Sequence, residues 1–253
     1  MNEQELLKEI EALKRSNVLW GKSLVACGDS FTEGDFTNWT DSEGRSNHDS
    51  PVIFDSEMNM YKTYPWWIAK RNNMRLKNFG KCGGTIAIPR DYLASPDTVD
   101  INIRKPFAHE TYKNLGDDID YILLMYGLND MTNCELGTID DQTNETFYGA
   151  FNVVYKYLIQ KYPYTKIGAI VCNQTLHADY AKAVKEVSVK WGIPYLDLLG
   201  DTGISTTLFK TGMCDEAREI RNSQFFVAAD NGHPNHIAHE FMSTYVEEFL
   251  RRL

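Results

Sequence analysis

Five short apolar runs punctuate the chain, and apolar residues recur at helical spacing between them. The runs are Ser23–Cys27, Arg75–Phe79, Tyr121–Tyr126, Lys166–Cys172 and Pro194–Leu198. SLVAC, YILLMY and KIGAIVC are almost continuously apolar, the pattern of strands covered on both faces. RLKNF and PYLDL carry the same signal more weakly. Helical periodicity marks Tyr64–Asn72, Glu145–Lys161, His177–Trp191 and the stretch from Asn235 to Leu253. Strands alternating with helices predict an α/β fold with a parallel sheet, whose ligands bind at the carboxyl ends of the strands. Ahead of the first strand, Leu6, Leu7, Ile10 and Leu13 recur among Glu and Lys. They predict an amphipathic helix over residues 3–16, packed across the domain and too short for a coiled coil, with a short oligomer contact as the alternative.

Three connections are too long for plain turns: Phe31–Lys62, Thr85–Asp120 and Leu199–Asp230. Each follows the carboxyl end of a predicted strand and so crowds the rim where a ligand would bind. There is no internal repeat or Pro/Gly linker. The simplest parse is an N-terminal helix (1–20) and a single domain (21–253) with decorated loops. The 253 residues are 43% hydrophobic and 24% charged, ordinary globular values, and suffice for a substantial core. A net charge of −9, with no run of Lys or Arg, argues against a general nucleic-acid or anionic-membrane binder. The start of the chain lacks the basic and apolar regions of a secretory leader, and no run approaches the roughly 18 apolar residues of a spanning helix. Cytoplasmic residence is the default expectation, and a secreted form with a trimmed leader stays open. The five cysteines (Cys27, Cys82, Cys134, Cys172, Cys214) are an odd count without CxxC spacing and read as free thiols.

The candidate chemistry sits at the strand ends. In LVACGDSFTEG, Ser30 follows the first strand, where backbone N–H groups can hold a developing oxyanion, although a helix N-cap would also choose serine. A serine nucleophile needs a base. In AADNGHPNHIAHE, Asp230 and His233 stand three apart, close enough for the carboxylate to orient the imidazole; an Asp cap beside an incidental His is the alternative. His236 and His239 invite a metal reading, but no Cys or acidic cluster completes a ligand set, so no metal is expected. MYGLND brings Asn129, whose amide can donate to an oxyanion, and Asp130; NFGKCGGT brings Gly80, Gly83 and Gly84. The predicted rim loops carry Trp39, Tyr61, Tyr92, Phe107 and Tyr112 beside Asp41, Glu43, Arg45, Asn47 and His48, a mixture that suits a sugar; Trp66 and Trp67 read as packing.

Together these motifs, Gly-Asp-Ser, Asn-x-Gly-x-x-Gly, Gly-x-Asn-Asp and Asp-x-x-His-Pro, resemble in their order the SGNH (GDSL-type) hydrolases, from about Leu24 to the C-terminus. The resemblance implies a flavodoxin-like three-layer α/β/α sandwich with a five-stranded parallel sheet and long loops at the carboxyl ends of its strands. It implies cleavage of esters or thioesters without a cofactor. Residue by residue, it implies Ser30 as nucleophile, His233 as base and Asp230 as the carboxylate that orients it. Gly83 and Asn129, with the Ser30 N–H, become the oxyanion donors. Asp29, Trp39, His48 and Asp130 become candidate substrate contacts, although Asp29 more readily braces the turn before the serine. Cys82 stands where the family often has Ser, and Ala238 where it often has Gly; neither removes a catalytic group. The expected activity is hydrolysis of short-chain, notably acetyl, esters of a carbohydrate or other polar alcohol. A lipase or thioesterase and a non-catalytic glycan-binding relative are the alternatives. A phosphate binder of the same fold would give Asp230 and His233 no role, and the chain lacks G-x-x-x-x-G-K-[ST] and G-x-G-x-x-G. The expected partner is a small-molecule or saccharide ester, with no nucleic acid and no membrane, and the oligomeric state is left open.

Overall fold

The three strongest apolar runs become the middle of one sheet. The computed structural model describes residues 2–35, 52–171, 178–198, 216, 220, 224–228 and 231–253. The sheet is built from β1 (Ser23–Gly28), β4 (Arg75–Gly80), β5 (Tyr121–Met125), β6 (Lys166–Val171) and β7 (Tyr195–Asp197), in the order β4-β1-β5-β6-β7. Every adjacent pair is parallel. Two small antiparallel ribbons stand apart from it, β2 (Phe54–Asp55) with β3 (Met60–Tyr61), and β8 (Phe226–Ala228) with β9 (Asn231–Pro234).

Period-two alternation splits the core into two layers. Ile122 and Leu124 of β5 pack with Phe151, Val154 and Leu158 of α6 (Phe147–Lys161) and with Ala183, Val184 and Val187 of α7 (Ala178–Trp191). Tyr121, Leu123 and Met125 face the other way. They pack with Tyr64 and Ile68 of α3 (Tyr64–Asn72) and with Met242, Val246 and Phe249 of α8 (His236–Arg252). The result is the three-layer α/β/α sandwich that the resemblance implies, built on the parallel sheet expected from the alternation of strands and helices. Each fully buried Leu, Ile or Phe in these layers contributes about 1.5–3 kcal/mol of transfer free energy.

The expected strand and helix limits shift by a residue or two: β1 runs on to Gly28, β5 ends at Met125, β7 shortens to Tyr195–Asp197, and α6 begins at Phe147. Thr146 caps α6, its side chain accepting from the Gly149 N–H. Cys172 and His177, expected at the ends of β6 and α7, lie outside the described residues, as does Cys214. Cys27, Cys82 and Cys134 are free thiols.

The amphipathic helix α1 (Glu3–Ser16) forms, and among the described residues its Leu6, Leu7 and Ile10 are 44%, 55% and 37% exposed. One expectation needs correction. Phe107 and Tyr112, expected as rim aromatics, are core residues at 1% and 7% exposure. The long connection from Thr85 to Asp120 folds inward. The Phe107 N–H donates to the Thr85 carbonyl and the Ala108 N–H to the Ile86 carbonyl, so their side chains join the layer beneath. Trp66 is buried as expected and its indole donates to Asp55 Oδ2 at 2.8 Å. Among the described residues, no helix is long and apolar enough to cross a membrane.

Candidate active site

Register places the site. Gly28 of β1 is level with Gly80 of β4 on one side and with Met125 of β5 on the other. Ser30, Gly83 and Asn129 follow these three residues by two, three and four positions, so all three emerge at the carboxyl ends of neighbouring strands.

Ser30 opens the short helix α2 (Ser30–Glu33). Asp29 caps it, with Oδ1 accepting the Phe31 N–H at 3.0 Å, and Gly34 ends it in the left-handed conformation, its N–H donating to the Ser30 carbonyl at 2.8 Å. So tight a turn brings backbone close to backbone. A Cβ on Gly28 would lie 2.1 Å from Thr32 Oγ1, and one on Gly80 would lie 2.3 Å from the Glu33 nitrogen. Glycine at both positions is therefore a steric requirement of the turn that carries Ser30. The Thr32 carbonyl accepts from Thr63 Oγ1 and Asn78 Nδ2 at 2.9 and 2.7 Å, pinning α2 to its surroundings.

His233 arrives on β9, and its Nε2 stands 2.8 Å from Ser30 Oγ. The Phe31 ring meets the imidazole edge-on, with centroids 5.2 Å apart. Burial pulls His233 down to about 4, so the imidazole is neutral near pH 7 and its unprotonated nitrogen can accept from the serine hydroxyl. Asp230, expected to orient His233, lies outside the described residues, as do Trp39 and His48.

The turn bearing Gly83 and the segment bearing Asn129 meet beyond the carboxyl ends of β4, β1 and β5. Asn129 Nδ2 donates to the Gly84 carbonyl at 3.0 Å, which leaves its second amide hydrogen for another acceptor. Gly83 sits at φ +71° in a turn closed by the Gly84 N–H on the Lys81 carbonyl. The Lys81 N–H reaches the Gly28 carbonyl and the Cys82 N–H reaches Glu33 Oε2, fastening this turn to the segment that bears Ser30. Cys82 is exposed.

Asp29 and Asp130, expected among the substrate contacts, are both fully buried. Asp130 Oδ1 accepts the Ile86 and Ala87 amides at 2.9 and 3.0 Å and ties the start of α5 (Asp130–Asn133) to the loop after β4. This clamp was not legible from sequence, because its partners lie more than 40 positions away. Burial pushes both carboxyls up to about 7, and for Asp29 the nearby Asp130 charge adds to the effect. His239, a candidate in the metal reading, is buried inside α8, and burial pulls it down to about 3. Among the described residues, no three His, Cys, Asp or Glu side chains gather as a metal would require.

No family profile matches the chain, and no curated protein matches it in sequence. Solved structures match it in shape. A protein from Lactobacillus plantarum shares 21% identity, with a TM-score of 0.63 over 92% of this chain and 98% of its own. A protein from Bacteroides uniformis, named a GDSL-like lipase, shares 19% identity at a TM-score of 0.60 over 92% of this chain and 97% of its own. An acetyl xylan esterase from the rumen bacterium Butyrivibrio proteoclasticus shares 15% identity at a TM-score of 0.50, over 92% of this chain and 64% of its own. With its five parallel strands and two flanking helix layers, the chain has the fold of the GDSL-type hydrolases.

Proposed function

We propose that this chain is a serine ester hydrolase of the SGNH type, acting on short-chain acyl esters, with acetyl the foremost candidate. The observation that carries the reading is the 2.8 Å contact between Ser30 Oγ and His233 Nε2, made by residues 203 positions apart. The shared fold with a GDSL-like lipase and an acetyl xylan esterase supports it. In the proposed cycle, neutral His233 takes the Ser30 proton as Oγ attacks the ester carbonyl. The Ser30 and Gly83 N–H groups and the Asn129 amide stabilise the oxyanion, a donor set in which each member contributes about 2.7–4 kcal/mol. His233 then protonates the leaving alcohol. Water attacks the acyl-serine, giving its proton to His233, and the acid departs as Ser30 is restored. Asp230 is assigned to hold the imidazole tautomer.

A carbohydrate alcohol fits the acetyl xylan esterase likeness. The aromatic argument for it is narrower than the sequence implied, because Phe107 and Tyr112 are in the core. The test is Ser30→Ala. Turnover of 4-nitrophenyl acetate should fall by at least about 10³-fold, as for loss of a triad member, with the unfolding midpoint retained. Wild-type protein should also be labelled at Ser30 by a fluorophosphonate. Undiminished turnover in the variant would refute the assignment. A preference for C8 over C2 esters would replace the short-acyl reading with a lipase.

A further inference from the structure

A cation stands over the turn that bears Gly83. Arg104 Nη1 lies 3.4 Å from the Gly83 carbonyl oxygen, and it is the heavy atom a Cβ on Gly83 would meet, at 3.1 Å. The Arg104 main chain lies against the same turn, its carbonyl 3.6 Å from where a Gly84 Cβ would stand. Backbone bonds hold the segment there: Lys105 N–H to the Ile101 carbonyl, Phe107 N–H to Thr85 and Ala108 N–H to Ile86. Lys105 itself adopts a left-handed φ of +41°, a conformation a Lys rarely takes, as the chain turns away beyond the guanidinium.

The guanidinium is poorly satisfied where it stands. It has five N–H donors in a planar fork. Its one hydrogen bond among the described residues is the long one to Gly83, and it forms no ion pair there. The neighbouring carboxylates are engaged elsewhere: Glu33 accepts the Cys82 N–H, and Asp35 Oδ1 accepts the Tyr61 hydroxyl. Lys81 and Lys105 both bear electrostatically on Glu33. A half-buried guanidinium with spare donors is a carboxylate receptor. On a chain of net charge −9, it also supplies the local attraction that an anionic substrate would otherwise lack.

We propose that Arg104 is a specificity-determining residue that binds a carboxylate carried by the ester substrate, a few bonds from the scissile carbonyl. The proposal deepens the esterase reading and rests on it for the placement of the oxyanion site. The carboxylate can belong to the acyl or the alcohol part, and the substrates below separate the two. Steady-state kinetics would compare neutral 4-nitrophenyl acetate with 4-nitrophenyl hydrogen succinate, charged on the acyl side, and 3-acetoxybenzoate, charged on the alcohol side. Arg104→Gln should raise KM for one of the charged esters about tenfold more than for the neutral one, the scale of a lost charge-assisted bond. Arg104→Lys should restore part of the difference, and Arg90→Gln, on a pair with Glu135, should leave the ratio as in the wild type. If Arg104 only braces the Gly83 turn, its loss lowers kcat alike on all three esters, and the proposal fails. Calorimetric binding of monomethyl succinate and of benzoate, read without turnover, separates this proposal from the esterase reading. Binding of either that weakens about tenfold in Arg104→Gln supports a carboxylate site even if no ester is hydrolysed. Absence of binding to wild-type protein overturns it even if esters are hydrolysed.

Discussion

Asp130 does more for the structure than its place beside Asn129 suggests. One carboxylate oxygen holds two backbone amides of the loop after β4, and the other has no partner among the described residues. Asp29 is placed in the same way, with one oxygen on the Phe31 amide and the other unpartnered among the described residues. An ionised carboxylate is costly in such surroundings, and both groups are pushed up to about 7. In the unfolded chain an Asp titrates near ~3.9, so the folded state binds these protons more tightly. Their contribution to stability is therefore fully present below about pH 4 and is lost as pH rises through about 7. Asp130→Asn keeps an oxygen for the Ile86 and Ala87 amides and removes one titration. Between about pH 4 and 7 its unfolding midpoint should fall less steeply than that of the wild type, measured by calorimetry in matched buffers. Equal slopes would mean that Asp130 does not titrate in this range. The sequence showed which residue types stood at the strand ends and that Asp29 suited a brace. It could not show which carboxylates the loops bury, because that depends on the path of the chain between Thr85 and Asp120.

At the scale of elements, the strength of each sequence signal follows from what covers the strand. All residues of β1 and β5 are buried, and β6 is buried after its first residue, so their runs read plainly as apolar. β4 lies at the sheet edge and alternates exposed with half-buried positions, which is why RLKNF reads weakly. The β8–β9 ribbon was not legible, since Asn231, Gly232 and Pro234 are residues that argue against a strand. His233 was nevertheless a candidate from its neighbours in sequence, while the ribbon supplies the approach that brings its Nε2 to Ser30. On the opposite side, Gly80 fixes how closely β4 can approach α2. A methyl there would lie 2.3 Å from the Glu33 nitrogen and 2.7 Å from the Thr32 carbonyl carbon, both backbone atoms that cannot swing aside. Gly80→Ala should push α2 away, moving Ser30 relative to His233. A shift of about 1 Å at a catalytic group can cost 10²-fold in rate, and overpacking costs about 1–3 kcal/mol in stability. Both kcat on 4-nitrophenyl acetate and the denaturant midpoint should therefore fall. A loss of stability with kcat unchanged would show that α2 yields without displacing the serine.

For the molecule as a whole, Asn17, the residue after α1, is anchored in the sandwich. Asn17 Nδ2 donates to Asn72 Oδ1 at 2.9 Å, its own Oδ1 accepts from Arg251 Nη1 at 2.8 Å, and Leu19 beyond it is fully buried. These contacts join the chain to α3 and α8 on one side of the sheet. α1 carries local terms of its own. Asn2 and Glu5 form a capping box, and acidic residues in the first turn with basic ones in the last suit the helix dipole. Lys14 Nζ lies 5.6 Å from the Trp20 ring centroid. Such terms sustain a helix of 14 residues only marginally, and they transmit little stability to the sheet. Removing residues 1–16 should therefore cost less than about 1 kcal/mol, lowering the midpoint of thermal unfolding by no more than about 4 °C. Leu19→Ala, which empties a fully buried site a few residues further on, should cost about 2–5 kcal/mol and serves as the calibration in the same calorimetric series. If the truncation proves as damaging as the cavity, the apolar stripe of Leu6, Leu7 and Ile10 is buried in solution. A midpoint that also rises with protein concentration would then assign that burial to a second copy of the chain, and one that does not would assign it to the sandwich itself.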